Sequence, residues 1–141
     1  MIYLTDRLSR DMTVKITQIE GWNLKAEADG FTVISGKPDL DAPYEGMSPG
    51  RLMEASLGLC TGMHLVSYMQ KNNIEHDGFE ITMETTNEKN PSRCTEFTTN
   101  IKINADLDED TIEGLLIEAG KCYVGNTIKG APGVNICFSS V

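Results

Sequence analysis

The chain has 141 residues, with 12 Lys and Arg against 21 Asp and Glu, and a formal net charge of −9. That length suits one domain, 1–141, able to bury roughly 65–70% of its unfolded surface. The cations are scattered, so the basic patch that nucleic acid or an anionic membrane surface requires is missing, and no partner of either kind is expected.

The opening residues, MIYLTDRLSRDM, contain neither the apolar stretch nor the small-residue cleavage site of a signal peptide. The longest weakly polar run, ASLGLCTGMHLVSYMQ, falls short of the ~20 apolar residues that span a bilayer. The expectation is a cytoplasmic protein whose four cysteines are free thiols unless they do redox or metal chemistry.

Residues 12–19 alternate, with Met12, Val14 and Ile16 on one face and Thr13, Lys15 and Thr17 on the other, as in a half-buried strand. Two further strands, WNLKAEA and FTVIS, flank the turn signal Asp29-Gly30. GKPDLDAPYEGMSPG is a loop rich in Gly, Pro and Asp. Ser48 then supplies an N-cap and Pro49 a first helical position, opening a helix that runs to about Lys71 and stops at Asn72-Asn73. Between Ala55 and Gln70 it carries no Lys, Arg, Asp or Glu, which predicts a central helix buried on several sides. FEITMETT (79–86) and FTTNIKINA (97–105) alternate again and predict an antiparallel hairpin. DLDEDTIEGLLIEAGKCY predicts a second helix with an apolar stripe of Ile112, Leu115, Leu116 and Ala119. GAPG breaks the chain, and VNICFSS (134–140) predicts a closing strand.

Two cysteines fall on the helices. At about 100° per residue, Cys122 lies near the centre of the second helix's stripe and points toward the core, while Cys60 is in the middle of the first helix. Cys94 opens a strand and Cys137 is out of phase with Val134, Ile136 and Phe138. For each thiol the competing reading is a small buried core residue. Gly58 and Gly62 bracket Cys60 and share one face, although each costs ~1 kcal/mol against Ala inside a helix. They predict a close helix contact, with the helix of a second copy as the expected neighbour.

SPGRLMEASLGLCTGMHLVSYM, followed by EAGKCYVGNTIKGAPGVNI, resembles the OsmC/Ohr family of organic hydroperoxide reductases. The match rests on a Pro eleven residues before a helical Cys, a second Cys preceding a short polar segment, and the order strands, helix, hairpin, helix, strand. The resemblance implies an α+β fold with antiparallel sheets wrapped around central helices in an intertwined homodimer. It implies a peroxidatic thiolate at Cys60, a resolving thiol at Cys122 and a disulfide between them. It also implies an organic hydroperoxide as substrate, an external dithiol as reductant, and no cofactor or metal.

The sequence departs from the family at one pair. The reductases carry a Glu just after the helix-opening Pro, holding an Arg that supports the thiolate; here those positions are Gly50 and Arg51. IEGWNLK, the stretch corresponding to the source of the Arg, has only Lys25. A thiol with a pKa near 8.5 needs a cation nearby to ionise at neutral pH. His64, four residues after Cys60 and on its face, is one candidate, read alternatively as a hydrogen-bonded core histidine. Arg51 of a partner chain is the other, since within one helix it lies about 180° from Cys60. Without such support the expectation is a catalytically weakened dimer that senses redox state or binds a small ligand. A metal site of Cys60, His64 and Cys122 is the remaining alternative.

Overall fold

The computed structural model describes residues 13–140. Met12, expected on the first strand's apolar face, lies outside them. The described residues form β1 (Lys15–Glu20), β2 (Asn23–Ala28), β3 (Phe31–Ser35), α1 (Pro49–Lys71), β4 (Phe79–Glu88), β5 (Arg93–Ile103), α2 (Glu109–Ala119) and α3 (Tyr123–Lys129). This is the α+β class that the resemblance implied. The chain divides into two compact units, one ending at Leu52 and the other beginning at Met53.

In the first unit β1, β2 and β3 form an antiparallel meander. The β2–β3 turn places Asp29 at φ 53° and Gly30 at φ 82°. Positive φ at both central residues is what a two-residue hairpin turn of the sheet's own twist demands. Ile16, Ala26 and Val33 stand opposite one another across the three strands, as do Ala28 and Phe31, so these residues share a face. The other face carries Lys15, Glu27 and Thr32, with a Lys25–Glu27 ion pair at 3.4 Å. The sheet is amphipathic as expected, but none of the described residues covers its apolar face: Ile16 is 59% exposed and Phe31 78%. Ser48 caps α1, its Oγ accepting the Arg51 N–H at 3.3 Å.

The second unit packs α1 across the β4–β5 hairpin. The hairpin register pairs Phe79 with Ile103, Ile81 with Ile101 and Met83 with Thr99, which sets the half-buried residues of both strands on one face. Leu65, Met69 and Leu115 form the buried core, with Phe79, Ile81, Ile101 and Ile103 packed around them. Asp108 caps α2 by accepting the Thr111 N–H at 2.7 Å, and the Thr111 side chain, followed by this N–H, holds its carboxyl below the usual range.

Four expectations are corrected. The long helix is buried on one side only, through Leu57, Gly58, Thr61, Gly62, Leu65 and Met69, while Leu59 and Met63 on the opposite side are 64% and 70% exposed. The hairpin and α2 cover one flank of a helix that is apolar all round. The glycine pair does not await another helix: a Cβ on Gly58 would meet Met83 and Ile81, and one on Gly62 would meet Ile81 and Phe79. The second helix stops at Ala119, and YVGNTIK, read as a polar connection, forms a separate helix, α3. Finally, 134–140 is no strand, and Val134, Ile136 and Phe138 are at least 84% exposed. Its alternating pattern suits a strand, but a strand forms only where the chain path lays it along a sheet edge, and 134–140 pairs with none of the edges among the described residues.

Candidate active site

Cys122 is the most deeply placed of the four thiols, at 1% exposure. The reason differs from the one the helical wheel supplied, because the α2 helix ends three residues earlier. Cys122 sits in the break between α2 and α3 and caps α3, its sulfur accepting the Gly125 N–H at 3.1 Å. The Thr61 hydroxyl donates to the same sulfur from α1 at 3.9 Å. Cys122 also lines a mostly apolar cavity of about 380 Å³ with Leu57, Phe97, Ile101, Leu116 and Ile128, where Lys129 is the charged lining residue.

Cys60 is half-buried, next in sequence to Thr61, and unbonded to any other cysteine. One helical position is about 100° of rotation. The residue that α1 turns to Cys122 is therefore Thr61, and Cys60 lies on the neighbouring flank, outside the cavity lining. Cys94 donates its S–H to the Glu96 carbonyl at 3.2 Å, and Cys137 is exposed.

His64 shares the Cys60 flank, four residues on. Its Nδ1 stands 3.3 Å from Glu118 Oε1 on α2, with both side chains partly exposed. Glu118 Oε2 also meets Lys121 Nζ at 3.4 Å. The His64 hydrogen bond, with Lys121 adding to it, holds the Glu118 carboxyl below its ordinary value of 4.5. Arg51 is on the first turn of α1 and belongs to the first unit. Among the described residues no group of three His, Cys, Asp or Glu side chains is arranged to hold a metal ion, so Cys60, His64 and Cys122 do not form the metal site considered above.

Sequence reasoning passed over Thr61 and Glu118. Thr61 had a faint signal, as a hydroxyl between Cys60 and Gly62 in an apolar helix. Glu118 borders the α2 stripe next to Ala119, but nothing in the sequence ties it to a histidine 54 positions away.

These features define an α+β protein whose long helix carries Cys60 and, one position on, turns Thr61 to the sulfur of Cys122 in the break behind another helix. The OsmC-like protein family matches residues 36–136, and the chain belongs to it. A search of curated proteins finds no match. Among solved structures it is similar to an osmotic stress induced and detoxification response protein from Psychrobacter arcticus, at TM-score 0.72 and 22% identity, covering 82% of this chain and 87% of that one. It is equally similar in fold to an OsmC like protein from Mycoplasma pneumoniae, at TM-score 0.72 and 17% identity, over 84% and 86% of the two chains. The organic hydroperoxide resistance protein OhrB of Bacillus subtilis superposes at TM-score 0.52 with 22% identity, over 84% and 92%. At such identities the likeness is one of fold. Among the described residues no helix is long and apolar enough to cross a membrane.

Proposed function

We propose that this protein is a cytoplasmic, homodimeric thiol peroxidase that reduces organic hydroperoxides. The Cys60 thiolate attacks one oxygen of the O–O bond, the alcohol leaves, and a sulfenic acid remains on Cys60. The Cys122 thiol condenses with it, releasing water and forming a disulfide, and an external dithiol reduces that disulfide. The observation that carries the reading is the contact between Thr61, the residue after Cys60, and the Cys122 sulfur, which makes the two cysteine-bearing segments neighbours. The apolar residues beside Cys60 on α1, Leu59 and Met63, suit an alkyl chain better than hydrogen peroxide.

Three apolar surfaces support a dimer: one face of the β1–β3 sheet, the Leu59/Met63 side of α1, and Val134, Ile136 and Phe138. Exposed apolar area on this scale marks an association surface. His64 and the partner chain's Arg51 are the candidate cations for Cys60, each able to lower the thiol pKa; two units correspond to about 2.7 kcal/mol.

Stopped-flow reaction of the reduced protein with an alkyl hydroperoxide and with hydrogen peroxide tests the proposal. The alkyl substrate should react faster, and one equivalent should yield a Cys60–Cys122 bridge with Cys94 and Cys137 free. A dominant bridge through Cys94 or Cys137 would show that the wrong pair was chosen. A second reading, a redox-sensing or ligand-binding dimer without efficient turnover, is favoured by Gly50 and Arg51 at the family's carboxylate positions. Slow reaction with both peroxides would select it.

A further inference from the structure

The contact between His64 and Glu118 has a chemical consequence for Cys60, resting on the reading of Cys60 as the reactive thiol. A carboxylate can only accept, so a hydrogen bond at 3.3 Å between Glu118 Oε1 and His64 Nδ1 requires the proton on Nδ1. The lone pair of the neutral ring is then on Nε2. Positions i and i+4 of a helix put Cβ atoms about 5–6 Å apart on one face, within reach of an imidazole and a thiol. The fragment therefore has the order nucleophile, base, orienting acid found wherever a weak nucleophile is activated by an adjacent base.

We propose that Glu118 is a positioning residue for His64, and that Cys60, His64 and Glu118 form a thiol–imidazole–carboxylate triad in place of the carboxylate–arginine pair whose family positions are here Gly50, Arg51 and the IEGWNLK stretch. The proton of the Cys60 thiol passes to His64 Nε2, giving a thiolate and an imidazolium. Glu118 keeps its charge, holds Nδ1–H and stabilises the imidazolium, and no proton moves to the carboxylate. The charged groups paired in this cluster are Glu118 on α2, against His64, and beyond it Lys121 in the break after α2, with Cys60 one turn back from His64 on α1. Lys121 engages Oε2, which leaves Oε1 for the histidine.

The test is the pH profile of Cys60 alkylation by iodoacetamide in the reduced full-length protein, with the adduct mapped to Cys60. Glu118→Gln keeps the shape but loses the charge. It should move the midpoint up by about one pH unit, a tenfold slower reaction below both midpoints, and Glu118→Asp should recover part of it. In a His64→Ala background Glu118→Gln should change nothing further. Nitrogen-15 spectra of the His64 ring should report the Nδ1–H form in the parent and its loss in Glu118→Gln. An unchanged profile in Glu118→Gln, or an equal shift with and without His64, overturns the triad. The probe contains no peroxide, so the two ideas separate. A Glu118-dependent profile in a protein inert to hydroperoxides upholds the triad and refutes the peroxidase. An unchanged profile with rapid peroxide turnover does the reverse.

Discussion

Replacing Gly62 by alanine should stabilise the protein, and Gly58→Ala should not. Both glycines are in mid-helix, where alanine is favoured by about 1 kcal/mol. At Gly62 the added Cβ would lie 3.5 Å from Ile81 Cδ1 and 3.5 Å from Phe79 Cε2, which is ordinary contact. A methyl that fits there also gains apolar burial, up to about 0.8 kcal/mol. The expected net gain is about 1–1.5 kcal/mol, or roughly 3–5 °C in Tm. At Gly58 the Cβ would approach Met83 Cγ to 3.2 Å and Sδ to 3.3 Å. Met83 is flexible and can give way, but overpacking costs about 1–3 kcal/mol and offsets the helical gain, so the net change should fall between zero and a loss of about 2 kcal/mol. Thermal melts at one fixed protein concentration, paired with sedimentation, measure both effects and separate folding from association. Gly62→Ala that lowers Tm and weakens the dimer would refute the reasoning, because it would mean that a partner's backbone occupies this face rather than the Ile81/Phe79 side chains.

Gly114→Ala should destabilise, by about 1–3 kcal/mol, because the new Cβ overlaps the Tyr68 hydroxyl and ring carbon, so the ring must leave its place against the core; a melt at or above the parent's would contradict this packing. Stability should also fall in acid. Glu118 and Asp108 are both held below their ordinary values, so each contributes stability that is present above its unfolded value, 4.5 and 3.8 respectively, and lost as pH falls through the lower folded value. Urea unfolding as a function of pH should show Glu118→Gln, and to a similar extent His64→Ala, flattening the Glu118 part of this loss while the Asp108 part persists. An acid limb unaltered in both variants would show that the His64–Glu118 hydrogen bond does not form in solution.

Local order was legible in the sequence because local forces set it. Asp29-Gly30, Ser48-Pro49 and Asn72-Asn73 mark their turn and helix ends through backbone conformation and capping, which depend on a few adjacent residues. The alternation of Phe79, Ile81 and Met83 marks a pleated face for the same reason. What covers a face is a tertiary matter. Gly58 and Gly62 read as room for a helix, yet Met83, Ile81 and Phe79 fill it, since small residues admit any neighbour that the chain path delivers. Val134, Ile136 and Phe138 read as a strand, but pairing depends on the chain path laying them along a sheet edge, which periodicity cannot supply. The candidate site divides in the same way. Cys60, His64 and Cys122 were visible as residue types at suggestive spacings. That Thr61 meets the Cys122 sulfur, and that Glu118 meets His64, was decided when α1 settled against α2 and the break behind it. Contacts between residues 54 and 61 positions apart are set by how whole elements pack, and no local pattern encodes them.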